Sequence, residues 1–197
     1  MRHYAPFAVQ PLPRRSSFRQ PLPVAAAPLS LEDPALEVMT DLEQVAAVTI
    51  DPEASIEHAM RVMVRRNVRL LLVVNVDNEI VGLITSTDLL GEKPFLHLRE
   101  QGGRRADIQV RDLMTPHERL EAIRMRDVRG AKVGHVLETL KASRRQHALV
   151  VDSDAQGNPM VRGIFSASQL SRQLGQTVQT GMVAHTFAEI EAALNGR

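Results

Sequence analysis

The order of apolar and polar positions repeats once along the chain. Residues 55–74 (SIEHAMRVMVRRNVRLLLVV) align without gaps on residues 132–151 (KVGHVLETLKASRRQHALVV), so that apolar positions fall mostly on apolar positions. After each stretch comes a β-rich run that ends in glycine, two apolar residues and a hydroxyl residue, within residues 82–89 (GLITSTDL) and 163–170 (GIFSASQL). Repetition on this scale indicates an internal duplication, and the duplication sets the architecture.

In the first unit the periodicity predicts the order strand, helix, strand, strand, helix. Residues 45–50 predict a short strand, and Ser55 can cap a helix. The apolar residues of that helix follow the spacing of a single buried face: Ile56, Ala59, Met60 and Met63. Residues 70–76 and 80–84 are β-rich runs separated by a polar turn, which predicts a hairpin, and a short helix should follow Thr85.

The second unit repeats this order. We expect a strand at residues 120–125, a helix at 132–142, strands at 148–151 and 160–165 around a hairpin four residues longer, and a helix after Ser166. Each β-α-β-β-α unit has roughly 60 residues and buries little apolar surface alone. The predicted fold class is therefore α/β (α+β), with the two units packed sheet to sheet about a pseudo-twofold axis.

The patterns divide the chain into five segments. They are an extended N-terminal arm at 1–35, the first repeat at 36–95, a linker at 96–110, the second repeat at 111–175 and a C-terminal extension at 176–197. Residues 1–30 hold six of the eleven prolines and no acid. Those prolines would break the helix of an organelle-targeting peptide, which favours an extended arm. In the extension, residues 187–194 predict a helix with Thr186 and Glu189 as its capping box.

Composition narrows the classes of function. The formal net charge is +1, from 24 basic and 23 acidic residues, so no global field attracts nucleic acid, and aromatic residues make up only 3%. The chain has no cysteine, which fits a reducing compartment, and we expect a cytoplasmic protein. No apolar run approaches the length of about 20 residues that a membrane span needs.

The strand-to-helix junction at Thr85 carries the candidate chemistry. A hydroxyl beside free backbone N–H groups at a helix start can bind phosphate, and the two oxygens of Asp88 can accept hydrogen bonds from a vicinal diol. Helix capping is the alternative interpretation, because Thr-x-x-Asp is also a capping pattern. In the second unit Ser166 and Gln169 keep a capping box but lose the carboxylate, so capping is expected in both units and a diol site only in the first.

The duplicated unit, the lead-in segments Met39-Thr40 and Met114-Thr115, and the glycine-strand-Thr-x-x-Asp ending resemble a tandem pair of CBS domains, also called a Bateman module. The resemblance covers about residues 36–175. It implies a regulatory module with two clefts for adenosyl ligands: AMP, ADP, ATP, S-adenosylmethionine (SAM) or NADH. No catalytic cofactor is implied.

The resemblance also assigns residues to the two clefts. In the first, Thr85 would contact phosphate or ribose and Asp88 the ribose hydroxyls. The full set for the first site is Thr85, Asp88, Thr49, Ile50 and Arg69. A degenerate second site would use Ser166, Gln169, Arg126 and Arg162. Three arginines are candidates to meet ligand phosphates, and the sequence does not choose among them: Arg69, Arg126 and Arg162.

We therefore expect a non-catalytic sensor that forms a homodimer and passes its occupancy to the dimer or to an effector protein. Two alternatives are a ligand-free interaction scaffold and a nucleic-acid binder that uses the arginine pairs, which the near-neutral charge disfavours. Metal binding is not expected, since the seven histidines show no paired ligand spacing. The aspartates at residues 152–157 resemble the start of a calcium loop, but Gly163 stands where a glutamate is needed, which favours a hairpin turn.

Overall fold

A computed structural model describes residues 29–175 and 177–178. The helices in this part are α1 (Ile56–Arg66), α2 (Ser86–Leu90), α3 (Lys93–Gln101), α4 (Val110–Leu113), α5 (Met125–Val128), α6 (Val133–Ser143) and α7 (Ala167–Leu174). The strands are β1 (Thr40–Asp41), β2 (Thr49–Ile50), β3 (Leu70–Val74), β4 (Ile80–Thr85), β5 (Thr115–Pro116), β6 (Ala122–Arg124), β7 (His147–Ser153) and β8 (Pro159–Ser166). Most of the predicted arm and the predicted helix at 187–194 lie outside the described residues.

Two four-stranded sheets have the same topology, which confirms the predicted fold class. One runs β5-β4-β3-β2 and the other β1-β8-β7-β6. In each, the first strand of the repeat is parallel to the second and the hairpin is antiparallel. Equivalent pairs, Thr49 with Leu72 and Ala122 with Leu149, place the two repeats in the same register.

Each sheet takes its outer strand from the start of the other repeat. Strand β1, at the start of the first repeat, pairs with β8, and β5, at the start of the second repeat, pairs with β4. Glycine allows this close approach, since a Cβ on Gly82 would lie 2.7 Å from the Thr115 carbonyl oxygen. A Cβ on Gly163 would lie 2.7 Å from Met39 Cγ. We call residues 39–41 and 114–116 the exchanged lead-ins.

The hydrophobic cores of the two units also include residues from the other side of the exchange. The core of the second unit takes in Ala35, Val38 and Met39, whereas Ile108 and Val110 are buried in the core of the first unit. A third cluster lies between the sheets around the buried residues Leu70, Leu72 and Leu149. The sequence boundaries at 36–95 and 111–175 follow chain order, while the hydrophobic cores cross them.

The structure shortens two predicted strands. The first was expected at residues 45–50 and spans only Thr49–Ile50; the strand expected at 120–125 spans Ala122–Arg124, and Met125 begins α5. Asp41 accounts for the first difference, because its carbonyl accepts from the Gln44 and Val45 amides and folds that stretch into a turn. Ser55 caps α1 as predicted, by accepting from the His58 amide at 3.2 Å.

Other differences concern connections. Helix α3 runs from the end of the first repeat into the linker and α4 begins at the last linker residue, and the sequence pattern predicted neither helix. The four extra residues of the second hairpin lengthen β7 and β8, and the turn at Asp154 is the polar hairpin turn expected there. Every helix in the described part of the chain is too short or too polar to cross a bilayer.

Candidate ligand-binding clefts

A cavity of about 510 Å³ lies in the second unit, where lead-in β1 meets the start of α5 and the junction of β8 with α7. We call it the second cleft. Its lining residues are Leu36, Glu37, Met39, Thr40, Asp41, Gln44, Val45, Met125, Arg162 and Gln169. The volume falls within the range of about 300–1,000 Å³ that small-molecule sites usually have. Two of the predicted residues, Gln169 and Arg162, are brought together here.

Gln169 does not cap α7, so the predicted capping box at Ser166 is wrong. Its Oε1 accepts from the Thr40 hydroxyl at 3.1 Å, which ties α7 to the exchanged lead-in. The Ser166 hydroxyl lies 3.0 Å from the Ser168 hydroxyl and makes no side-chain cap bond. Thr40 of the lead-in is an alternative hydrogen-bond partner for Gln169, and the local Ser-x-x-Gln pattern does not indicate it.

Arg162 is enclosed by carboxylates at the rim of the same cleft. Its guanidinium forms ion pairs with Asp41 and, at 2.9 Å, with Glu43. Arg162 and Asp41 have side chains only 14% and 16% exposed, so solvent screens their ion pair weakly. The Asp41 carboxylate also accepts from the Glu43 amide at 2.9 Å and from the Gln44 side-chain amide at 3.1 Å.

The equivalent place in the first unit holds Thr85 and Asp88, and here a full capping box forms. Asp88 Oδ2 accepts from the Thr85 amide at 2.8 Å and from the Thr85 hydroxyl at 2.7 Å. The Asp88 amide donates to Thr85 Oγ1 at 3.3 Å. The capping interpretation is therefore correct for this unit, and it holds the hydroxyl and the carboxylate side by side.

Lys93, which the sequence analysis did not select, completes this arrangement. Its Nζ lies 2.6 Å from Asp88 Oδ1 and donates to the Leu113 carbonyl at 2.9 Å. Lys93 thus bridges the end of the first repeat to the segment before exchanged lead-in β5. We call Thr85, Asp88 and Lys93 the first site. The only sequence signal for this contact is a lysine shortly after the Thr-x-x-Asp motif. The position of α3 brings that lysine to the Asp88 carboxylate.

A histidine from the second unit also acts on the first site. His147 begins β7, and its buried Nδ1 has no hydrogen-bond partner among the described residues. Burial, and to a smaller extent the Arg69 cation, lowers the pKa of His147 from 6.5 to about 4, although the Asp88 carboxylate acts in the opposite direction. His147 is therefore neutral at physiological pH and lies within electrostatic reach of the predicted residues Arg69 and Asp88.

The remaining predicted residues are dispersed. Ile50 is buried in the first core and Thr49, beside it on β2, is exposed. The Arg69 carbonyl accepts from the Ser86 amide at 2.9 Å, which fixes the start of α2. Arg126 is exposed on α5 and faces Asp127 at 3.7 Å, and it is not part of the cavity lining. Within residues 29–175 and 177–178 no group of three histidine or acidic side chains could hold a metal ion.

Comparison with known proteins places this geometry in a family. A family model for the CBS domain matches residues 35–94. No curated protein matches the sequence significantly. An uncharacterized conserved protein from Pyrococcus horikoshii is 26% identical, with a TM-score of 0.51, over 73% of this chain and 93% of that chain.

Two further solved structures carry the family's name. A CBS-domain-containing protein from Agrobacterium tumefaciens is 19% identical over 67% of this chain and 88% of that chain, with a TM-score of 0.49. CBSX2 from Arabidopsis thaliana, in complex with AMP, is 23% identical over 71% of this chain and 94% of that chain, also with a TM-score of 0.49. Because residues 35–94 match the CBS domain and the second unit repeats the same topology, the chain has the fold of a tandem CBS-domain pair.

Proposed function

We propose that the protein is a non-catalytic regulatory module that binds an adenosyl ligand between a repeat and its exchanged lead-in. The observation that carries this proposal is the second cleft, a cavity of about 510 Å³ with convergent polar groups from Thr40, Arg162 and Gln169. A cavity of this size with a few polar groups is the usual form of a small-molecule site. The CBS fold adds the expectation that the ligand is AMP, ADP, ATP, SAM or NADH.

The chemistry of the first site supports the same proposal. Thr85 and Asp88 stand together at a strand-to-helix junction, with the carboxylate only 12% exposed. A ribose can replace Lys93 as the partner of Asp88 Oδ1, and the released ammonium is then free to pair with phosphate. Lys93 is a stronger candidate than Arg69 for this role, because its Nζ already contacts Asp88.

Signalling would use the exchanged lead-ins and a dimer interface. A ligand in the second cleft contacts residues at the start of one repeat and residues within the other, so binding alters how the two units pack. Exposed apolar side chains on α1, α2 and α3 support homodimerisation: Val64, Leu90 and Phe95. An effector protein could bind the same surface.

We also propose a cytoplasmic location, because a chain without cysteine fits a reducing compartment.

Thermal melts with AMP, ADP, ATP, SAM and NADH test this function. A ligand at about 100 times its Kd adds roughly 2.7 kcal/mol, which raises the Tm by several degrees. Asp88→Asn should abolish the shift caused by first-site ligands, since the amide keeps an acceptor for the helix cap but loses the charge. Asp154→Asn, in the distant β7–β8 turn, removes the same charge and should respond as the wild type does.

The alternative is a scaffold that binds no small ligand. A melt unchanged by all five compounds in the wild type would support the scaffold and end the sensor proposal. A shift of equal size in the wild type and in both Asp88→Asn and Gln169→Ala would place the binding outside the two clefts.

A further inference from the structure

The second cleft has an unusual charge for a nucleotide site. Of its ten lining residues, Glu37 and Asp41 are acidic, and Arg162 is the one lysine or arginine among them. Glu43 lies immediately behind Arg162 and pairs with it. The lining therefore carries more carboxylate than cation, the reverse of what a phosphate group requires.

Arg162 is not available to a phosphate. Two carboxylates already surround its guanidinium, and both members of the Arg162–Asp41 pair are largely withdrawn from solvent. Asp41 cannot move away easily, since the turn that follows β1 donates two further hydrogen bonds to its carboxylate. An incoming phosphate would have to separate this pair and leave Asp41 facing another anion, which is costly at a site of low exposure.

The group that faces the sugar position is also uncharged. Gln169 stands in the second unit where Asp88 stands in the first, and its amide can both accept and donate hydrogen bonds. It offers a ribose one oxygen and one amino group, and it adds no cation or anion of its own. Nothing on the lining therefore favours an anionic ligand over a neutral or positively charged one.

We propose that the second cleft selects adenosyl ligands without phosphate, namely a neutral nucleoside or a cationic sulfonium compound, and rejects nucleotides. This inference rests on the proposed function and adds the ligand class of one cleft to it. The first site, with Lys93 beside Asp88, remains the place for a phosphate-bearing ligand. The first site and the second cleft thus bind different chemical classes of adenosyl ligand.

Isothermal titration of the full chain with adenosine, AMP and SAM tests the selection, in an Asp88→Asn background that disables the first site. We expect adenosine or SAM to bind at least about tenfold more tightly than AMP, because AMP alone of the three has a net negative charge, which the two carboxylates repel. Val45→Trp, at a half-exposed position on the wall, fills the cavity and should abolish this binding.

Charge variants separate electrostatics from shape. Asp41→Asn should strengthen AMP binding about tenfold, since it frees Arg162, while adenosine binding changes little. Glu37→Gln removes an exposed carboxylate with no ion pair in the described part of the chain, so it tests the same point if Asp41→Asn fails to fold. Glu57→Gln, exposed on α1 in the first unit, is the control for net charge and should leave all three affinities unchanged.

The outcomes distinguish the two proposals. AMP binding to the second cleft as tightly as adenosine, or no gain in AMP affinity in either charge variant, overturns the selection while the sensor function stands. Absence of binding by all three compounds to the wild type overturns the selection, and it overturns the proposed function as well if the melts also show no shift with ADP, ATP and NADH.

Discussion

At the scale of single residues, His147 occupies the position that Leu70 holds in the other unit. Both residues begin an inner strand of their sheet and pair with the hydroxyl residue of the helix junction, His147 with Ser166 and Leu70 with Thr85. Leu70 belongs to the cluster between the sheets, so a histidine here places a titratable group at the inter-unit interface. The fold keeps that group neutral because burial disfavours its charged form.

The pKa of about 4 makes stability depend on pH. Between about pH 6.5 and 4 the unfolded chain binds a proton at His147 that the folded chain does not, so the free energy of unfolding falls as the pH falls. The loss attributable to His147 is roughly 3 kcal/mol when the window is fully crossed. His147→Leu should remove this part of the pH dependence, which urea unfolding at pH 7.5 and pH 5 measures. An equal loss of unfolding free energy between the two pH values in the wild type and the variant would contradict the assignment.

At the scale of elements, the exchanged lead-ins depend on two glycines. A Cβ on Gly82 would lie 2.7 Å from the Thr115 carbonyl oxygen, a backbone atom that cannot rotate away, whereas the contacts of Gly163 are with the flexible Met39 side chain. Strand β5 must therefore shift if Gly82 gains a side chain. Leu113, immediately before this lead-in, accepts a hydrogen bond from Lys93 at the first site through its carbonyl.

Gly82→Ala should destabilise the protein by about 1–3 kcal/mol, because overpacking displaces β5. Gly163→Ala should cost less, since Met39 can adopt another rotamer. Gly130→Ala is the matched control: its Cβ meets nothing within 4 Å and should change stability by less than about 1 kcal/mol. Chemical denaturation measures all three, and equal losses for Gly82→Ala and Gly130→Ala would refute this account of the lead-in.

At the scale of the whole molecule, exchange of lead-ins and the cluster between the sheets make the two units one folding unit. Residues 108–113 complete the first core, and residues 35–39 complete the second. Neither unit can keep its core intact while the other unfolds, because the borrowed segment is covalently attached to the other repeat. A unit of roughly 60 residues would also be only marginally stable by itself.

Leu71→Ala therefore should weaken both units. Leu71 is fully buried in the first core, and its truncation should cost about 2–5 kcal/mol. Hydrogen exchange should then accelerate in β7 and β8 as well as in β3 and β4. Val76→Ala, at a side chain 96% exposed, is the control. Faster exchange confined to the first unit would mean that the units unfold separately.

The local elements could be predicted because their signals lie close together in the chain. The α1 cap at Ser55, the hairpins, and the capping box of Thr85 and Asp88 all depend on contacts between residues a few positions apart. The second capping box failed for the opposite reason. Gln169 has a partner 129 positions away, Thr40, and that pairing exists only after the lead-in crosses to the other sheet.

By itself, the sequence determined the duplication, the order of elements in each unit and the resemblance to the CBS domain, since periodicity and short motifs encode these through local geometry. Only the tertiary structure decided which lead-in completes which sheet, that Lys93 reaches Asp88, and that Arg162 is neutralised by Asp41 and Glu43. These are contacts between side chains distant in the chain or on different elements. The charge and accessibility of each cleft follow from these contacts, so a local sequence pattern does not predict them.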